Sequence, residues 1–284
     1  MPEMPEPPHP AEPGSPEYAA RALSFAGVAD AYDRARPGYP AEAAEWLTGG
    51  SGEPSRRRAR VVELGAGTGK LTEALLALGH DVLATDPLEA MLQHLHARCP
   101  EVPAVRASAE AIPAPSRSAD VVVAGQAFHW FDHARALPEI ARVLRPGGHL
   151  ALAWNLRDER IPWVRRLGEM IGPDNSTERE VDPSRVLVGS GLFGYVETAA
   201  FRFWQPLDRA KLRDLIASRS NIATMAETER AQVLEKADAL YAEYGRGADG
   251  MLLPYVTRCF RAAVRPQPPE HPGPEDPEPL LIDF

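Results

Sequence analysis

The segment Val61-Val62-Glu63-Leu64-Gly65-Ala66-Gly67-Thr68-Gly69-Lys70-Leu71-Thr72 constrains this 284-residue chain more than any other stretch. A short apolar run with β-branched residues breaks at Gly65, and after Gly69 leucines recur at helical spacing as Leu71, Leu75, Leu76 and Leu78. The pattern predicts a buried strand, a glycine turn and a helix. Glycine lacks Cβ and tolerates positive φ, so such a turn lets a ligand lie against the main chain at a helix N-terminus.

Spacing separates the ligand classes that use this geometry. A phosphate-cradling P-loop needs Gly, four residues, then Gly-Lys-Ser/Thr, but Leu64 stands where the first glycine belongs and Leu71 follows Lys70. A nicotinamide dinucleotide fingerprint fits Gly65 and Gly67, with the acidic Asp86 19 residues after Gly67, yet places Lys70 where its third glycine is needed. That reading is weakened and stays open as an alternative.

Charge excludes other classes once it is located. Residues 1–17 hold Glu3, Glu6, Glu12 and Glu17, and residues 266–284 hold Glu270, Glu275, Asp276, Glu278 and Asp283, with no Lys or Arg in either stretch. These account for the whole formal net charge of −9, and the same ends carry 14 of the 29 prolines, so both are expected to be disordered tails. The middle is neutral, which argues against a nucleic-acid partner, and Arg56-Arg57-Arg58 with Arg60 reads as a solvated approach to the first strand. No apolar run nears the roughly 20 residues that span a bilayer, and the acidic, proline-rich start is unlike a secretory signal. Two cysteines make no disulfide framework. A cytoplasmic protein with no membrane partner is expected, as a monomer or homodimer.

From Val61 onward, predicted strands at 60–64, 81–85, 103–107, 119–124 and 148–154 alternate with helices at 69–78, 87–97 and 132–144. The alternation means a mainly parallel, doubly wound α/β sheet with helices on both faces. Ahead of it, helices at 17–33 and 41–47 flank Arg36-Pro37-Gly38-Tyr39-Pro40, which suits a lid over a small polar ligand and equally a plain connection. Beyond it, helices at 163–170, 209–218 and 227–244 with a polar loop at 171–183 predict a helical cap over about 160–250. The domain is expected to span 18–265, with lid helices at 18–48 and a cofactor-binding core at 58–157.

Ligands in such sheets bind outside the strand carboxyl ends, and the suggestive residues fall there. Asp86 ends the second strand, where its carboxylate can accept from a ribose diol or cap a helix whose first residue is Pro87. Ala109-Glu110 follows the third strand. Gln126-Ala-Phe-His129-Trp130-Phe-Asp132 follows the fourth, and Leu144-Arg-Pro-Gly-Gly148 turns into the fifth.

These motifs together, with Glu63-x-Gly-x-Gly-x-Gly69 and Tyr32-Asp-Arg34 upstream, resemble the class I S-adenosylmethionine-dependent methyltransferases, type 11 group, and are similar to its trans-aconitate-methyltransferase-like branch. The resemblance is strong over about 25–155. It implies a Rossmann-like seven-stranded sheet with an antiparallel last strand, closed by a hairpin at 195–204 and 252–262. By the same resemblance, S-adenosylmethionine would contact Tyr32, Glu63, Gly65, Ala66, Gly67, Thr68, Gly69, Asp86, Pro87, Ala109, Glu110 and Gln126. Met91 would pad the adenine or serve the core.

Methyl transfer from a sulfonium needs proximity, orientation and a dry site, with a general base only when the nucleophile arrives protonated. His129 is the candidate base, since its ordinary pKa of about 6.5 suits neutral pH, though its place among aromatics also fits a structural role. Arg36, Tyr39, His129, Trp130, Asn155 and Arg219 are candidate acceptor contacts, and the arginines favour a small carboxylate acceptor. No metal is implied, because the histidines show no ligand spacing. The same fold using the sulfonium for cyclisation remains a second alternative.

Overall fold

The computed structural model describes residues 36–49, 58–171, 182–217, 222, 225–245 and 250–266. The predicted helix at 17–33 with Tyr32, the N-terminal tail, residues 267–284 of the C-terminal tail and Arg219 lie outside them.

The β-branched runs become the sheet. Strands β1 (Arg60–Leu64), β2 (Asp81–Asp86), β3 (Ala104–Arg106), β4 (Ala119–Gly125), β5 (Leu144–Arg157), β6 (Phe193–Leu207) and β7 (Met251–Val264) form one seven-stranded sheet in the order β3-β2-β1-β4-β5-β7-β6. β7 runs antiparallel to both of its neighbours, and the other pairings, β3 to β2 to β1 to β4 to β5, are parallel. The expected fold is therefore the observed one. Chain order reverses between β1 and β4, which opens the crevice at their carboxyl ends where ligands of such sheets bind.

Alternate residues of the central strands feed opposite faces. One face packs Val62, Leu64, Val122, Leu150 and Leu152 against helix α4 (His133–Val143) through Leu137 and Ile140. The other packs Val61, Val121, Val123 and Ala151 against α1 (Ala41–Thr48) and α2 (Lys70–Ala77) through Leu47, Leu71 and Leu75, and against Leu95 of α3 (Glu89–Arg98). A third core joins α5 (Pro162–Ile171), α7 (Arg209–Ala217) and α8 (Glu227–Tyr244) to the start of β7 through Leu167, Leu212, Leu240 and Leu253. These helices make up the described part of the expected cap.

Three boundaries differ from the sequence reading. The helix after β2 begins at Glu89 rather than at Pro87: Leu88 takes the N-cap position, while Asp86 accepts the Leu88 N–H with one oxygen and the Gly67 N–H with the other. The Leu144–Gly148 turn is absorbed into β5 as an irregularity: pairing with β4 jumps from Ala119 opposite Leu144 to Val121 opposite His149. The closing hairpin is longer than expected, and a short helix α6 (Ser184–Gly189) precedes it.

Candidate cofactor site at the β1–β4 crevice

The glycine turn leaves β1 with Gly65, Gly67 and Gly69 all at positive φ. A Cβ on Gly65 would come within 2.5 Å of the Ala127 Cβ, so this glycine admits the loop after β4. Gly67 differs: a Cβ there would meet nothing within 4 Å, and its backbone faces open space. Gly69 lies against Leu95 of α3.

Two buried carboxylates brace this turn. Asp86, 6% exposed, accepts the Gly67 N–H through Oδ2 at 2.9 Å and the Leu88 N–H through Oδ1 at 2.9 Å. Burial raises its pKa to about 6, against the opposing pull of those two N–H groups. Glu63, 1% exposed, accepts the Thr72 hydroxyl at 2.7 Å. Burial, then the neighbouring charge of Asp86, raises its pKa to about 8, with the Thr72 hydrogen bond acting the other way.

A cavity over the turn gathers most of the residues expected there. Its walls include Glu63, Gly65–Thr68 and Gln126, together with Arg36, Tyr39 and Asn155 from outside the core motif. Gln126 sits at φ 58, held by its own N–H on Ala153 O at 2.8 Å and by its side-chain Nε2 donating to Asn155 O at 3.0 Å. Asn155 donates through Nδ2 to Gly38 O at 3.0 Å and accepts the buried Thr257 hydroxyl at 2.6 Å. The Arg36–Pro40 strap is thereby tied to β5. Gly125, with no side chain, leaves room for the Tyr39 hydroxyl, which a Cβ would approach within 2.5 Å.

Other expected residues take different positions. Glu110 accepts the Asp132 N–H at 2.9 Å and so holds the aromatic loop. Ala109 and Met91 are buried, and the Pro87 carbonyl accepts from Arg106 Nε at 3.2 Å. The aromatic signature is largely packing: Phe128 is buried, stacks on His133 with centroids 4.4 Å apart and meets Trp154 edge-on. His129 and Trp130 lie on the short 3-10 turn Phe128–Trp130 with ring centroids 4.9 Å apart, and neither lines the cavity. His129 reaches the surface, yet desolvation by its loop, then the His133 charge, lowers its pKa to about 4. Thr72 and Thr257 escaped the sequence reading. Thr72 carries a local signal, one turn into the helix after Glu63, whereas Thr257 is brought opposite Asn155 only by the β5–β7 register.

The comparisons with known proteins agree with this geometry. Residues 62–152 match the family model described as a methyltransferase domain. The chain is 44% identical over 245 residues to an uncharacterized methyltransferase of Mycobacterium tuberculosis, covering 86% of this chain and 96% of the relative. It is also 34% identical over 158 residues to a malonyl-[acyl-carrier protein] O-methyltransferase of Methylococcus capsulatus, covering 52% of this chain and 57% of the relative. A solved structure of a candidate type II methyltransferase from Anaeromyxobacter dehalogenans aligns with a TM-score of 0.50 at 26% identity, over 81% of this chain and 97% of that one.

A doubly wound sheet with an open glycine turn and a carboxylate at the end of its second strand defines a nucleoside-cofactor enzyme. This chain belongs to the methyltransferase family, and its cofactor is S-adenosylmethionine. The glycine turn fits that cofactor: Gly67 offers a bare backbone that a Cβ would fill, braced from behind by the buried Asp86 carboxylate, which accepts the Gly67 N–H and does not itself line the cavity. The nicotinamide alternative is left without support.

Proposed function

We propose that this methyltransferase acts on a small organic acid, methylating a carboxylate oxygen. The reading rests on Arg36, which lines one cavity with the glycine turn, Tyr39 and Asn155. A planar guanidinium matches a carboxylate in bidentate fashion, which makes it selective among small acceptors. The similarity to an enzyme named for O-methylation of a malonyl group supports the same acceptor chemistry.

When bound, S-adenosylmethionine supplies a methyl group on a positively charged sulfur that is already an activated leaving group. The chain's own residues then have binding, orienting and shielding to do. Gly65–Gly69 and Asp86 would hold the nucleoside and methionine portions, with Glu63 bracing the turn through Thr72. Arg36 would aim the acceptor, and the strap held by Asn155 would exclude water. A carboxylate is already ionised at neutral pH, so no residue need remove a proton. That agrees with a His129 set outside the cavity lining.

The test is a panel of carboxylic acids, phenols and amines incubated with S-adenosylmethionine, read by S-adenosylhomocysteine formation and by base-labile methyl ester. Turnover of an acid, with its KM raised at least tenfold in Arg36→Ala, is expected. Turnover of phenols or amines while every acid fails overturns the acceptor. Methylthioadenosine in place of S-adenosylhomocysteine would point instead to a non-methyl displacement such as cyclisation.

A further inference from the structure

The end of the sheet opposite the glycine turn carries a second cavity, of about 570 Å³. Segments distant in sequence build it: Arg58 and Arg60 at the entry to β1, Asp81 at the start of β2, Arg117 and Asp120 around the start of β4, and Arg145 in the irregular start of β5. Four guanidinium groups therefore face two carboxylates. Both carboxylates are engaged by neighbouring cations. Asp81 accepts Arg58 Nε at 2.7 Å, while Asp120 pairs with Arg145 and accepts the Arg60 backbone N–H at 2.7 Å. Among the described lining residues, four guanidinium groups stand against two carboxylates.

The Arg58, Arg60, Arg117 and Arg145 side chains are all exposed and open to a ligand from solvent, and two details of the backbone place them. Arg60 spends its backbone N–H on Asp120, and among the described residues no acceptor reaches its guanidinium. Arg117 stands at φ 58, a conformation non-glycine residues rarely adopt, pinned by its N–H on Arg142 O at 2.8 Å and by the Ser118 N–H on Val143 O at 2.9 Å. The volume suits a metabolite rather than a single ion. Arginine forks concentrated in a concave, net positive site select oxyanions.

We propose that this cavity binds a small, multiply charged oxyanion, a phosphate- or carboxylate-bearing metabolite, at the sheet end remote from methyl transfer. It does not rest on the acceptor assigned above.

Calorimetry of the full chain at low salt tests it, with inorganic pyrophosphate and citrate as separate probes, in wild type, Arg60→Ala/Arg117→Ala and the milder Arg60→Gln. One-to-one binding of a probe is expected, weakened at least tenfold in the double variant and measurably in Arg60→Gln. The S-adenosylhomocysteine affinity of both variants should be unchanged, and saturation with S-adenosylhomocysteine should leave probe binding intact. Preference for pyrophosphate assigns a phosphate ligand, and preference for citrate a carboxylate one. The proposal is overturned if neither probe binds, if binding survives both variants, or if S-adenosylhomocysteine displaces the probe.

Discussion

The Thr72 hydroxyl donates to Glu63 Oε2 at 2.7 Å, so the first turn of α2 reaches back to the last buried acid of β1. Glu63 has an ordinary pKa of 4.5 and a folded one of about 8. Between those values the native state holds a proton that the unfolded state has lost, so stability falls as pH rises through that window. Wild type should lose several kcal/mol more between pH 5 and 8.5 than Glu63→Gln, measured by denaturant unfolding across pH. Thr72→Val removes the hydrogen bond that favours the charged form and should extend the fall to higher pH, its onset near 4.5 being unchanged. Parallel pH profiles for wild type and Glu63→Gln would refute a buried, titrating Glu63.

Asp86 titrates in the opposite functional sense. A ribose diol donates best to an ionised carboxylate, and this one takes up its proton as pH falls through about 6. S-adenosylhomocysteine affinity should therefore weaken between pH 7.5 and 5. Asp86→Asn should bind about tenfold or more weakly at pH 7.5, in line with the roughly 1.5–3 kcal/mol of a charge-assisted hydrogen bond, and show little of that pH dependence. Calorimetry of the two proteins at both pH values decides it.

Neighbouring glycines should fail for different reasons. Gly65→Ala drives a methyl to 2.5 Å from Ala127 Cβ at positive φ, and should destabilise the fold by roughly 2–4 kcal/mol from overpacking and backbone strain together. Gly67→Ala adds its methyl to open space and should cost only the strain of about 1–2 kcal/mol. Its larger effect should be on cofactor affinity, since the methyl occupies the bare backbone. Thermal melts beside S-adenosylhomocysteine titrations separate the two, and equal affinity losses without a stability difference would contradict the assignment.

His129→Ala tests the base that the aromatic loop suggested. With no place in the cavity lining, His129 should contribute little as a base, and kcat should fall less than about tenfold, against the 10²-fold or more expected of a positioned general base. A pH-rate profile that loses an acidic limb in the variant would restore the catalytic role.

What the sequence made legible was local. Val61–Leu64 with its glycine turn, and the alternation that follows, carry period and turn chemistry within a dozen residues, so the mainly parallel sheet and a ligand crevice at its strand ends could be anticipated, whereas the seven strands and antiparallel last strand came from the family resemblance and the strand order from the structure alone. The misreadings came where a side chain had a distant partner. Asp86-Pro87 carries the signal of a helix start, and Asp86 does accept the Leu88 N–H, but its other oxygen binds the distant Gly67 N–H and the regular helix begins only at Glu89. The Arg60 and Arg117 cavity was invisible because it is assembled from the starts of strands far apart in sequence. Thr257 lies 102 residues from Asn155, and nothing short of the β5–β7 register connects them.

Asn155 combines two functions that substitution can separate. Its Oδ1 accepts the buried Thr257 hydroxyl, and its Nδ2 holds Gly38 of the strap beside the glycine turn. Asn155→Ala strips both, leaving Thr257 without this acceptor at a cost of about 1–3 kcal/mol and releasing the strap. Thr257→Val strips only the first, so stability should fall while the Gly38 tie persists. The two variants should therefore lose comparable stability, but only Asn155→Ala should release S-adenosylhomocysteine faster, because only there is the strap free to lift. Stopped-flow displacement compares them directly. Equal dissociation rates would mean that the strap is held by other contacts and that Asn155 serves the core alone.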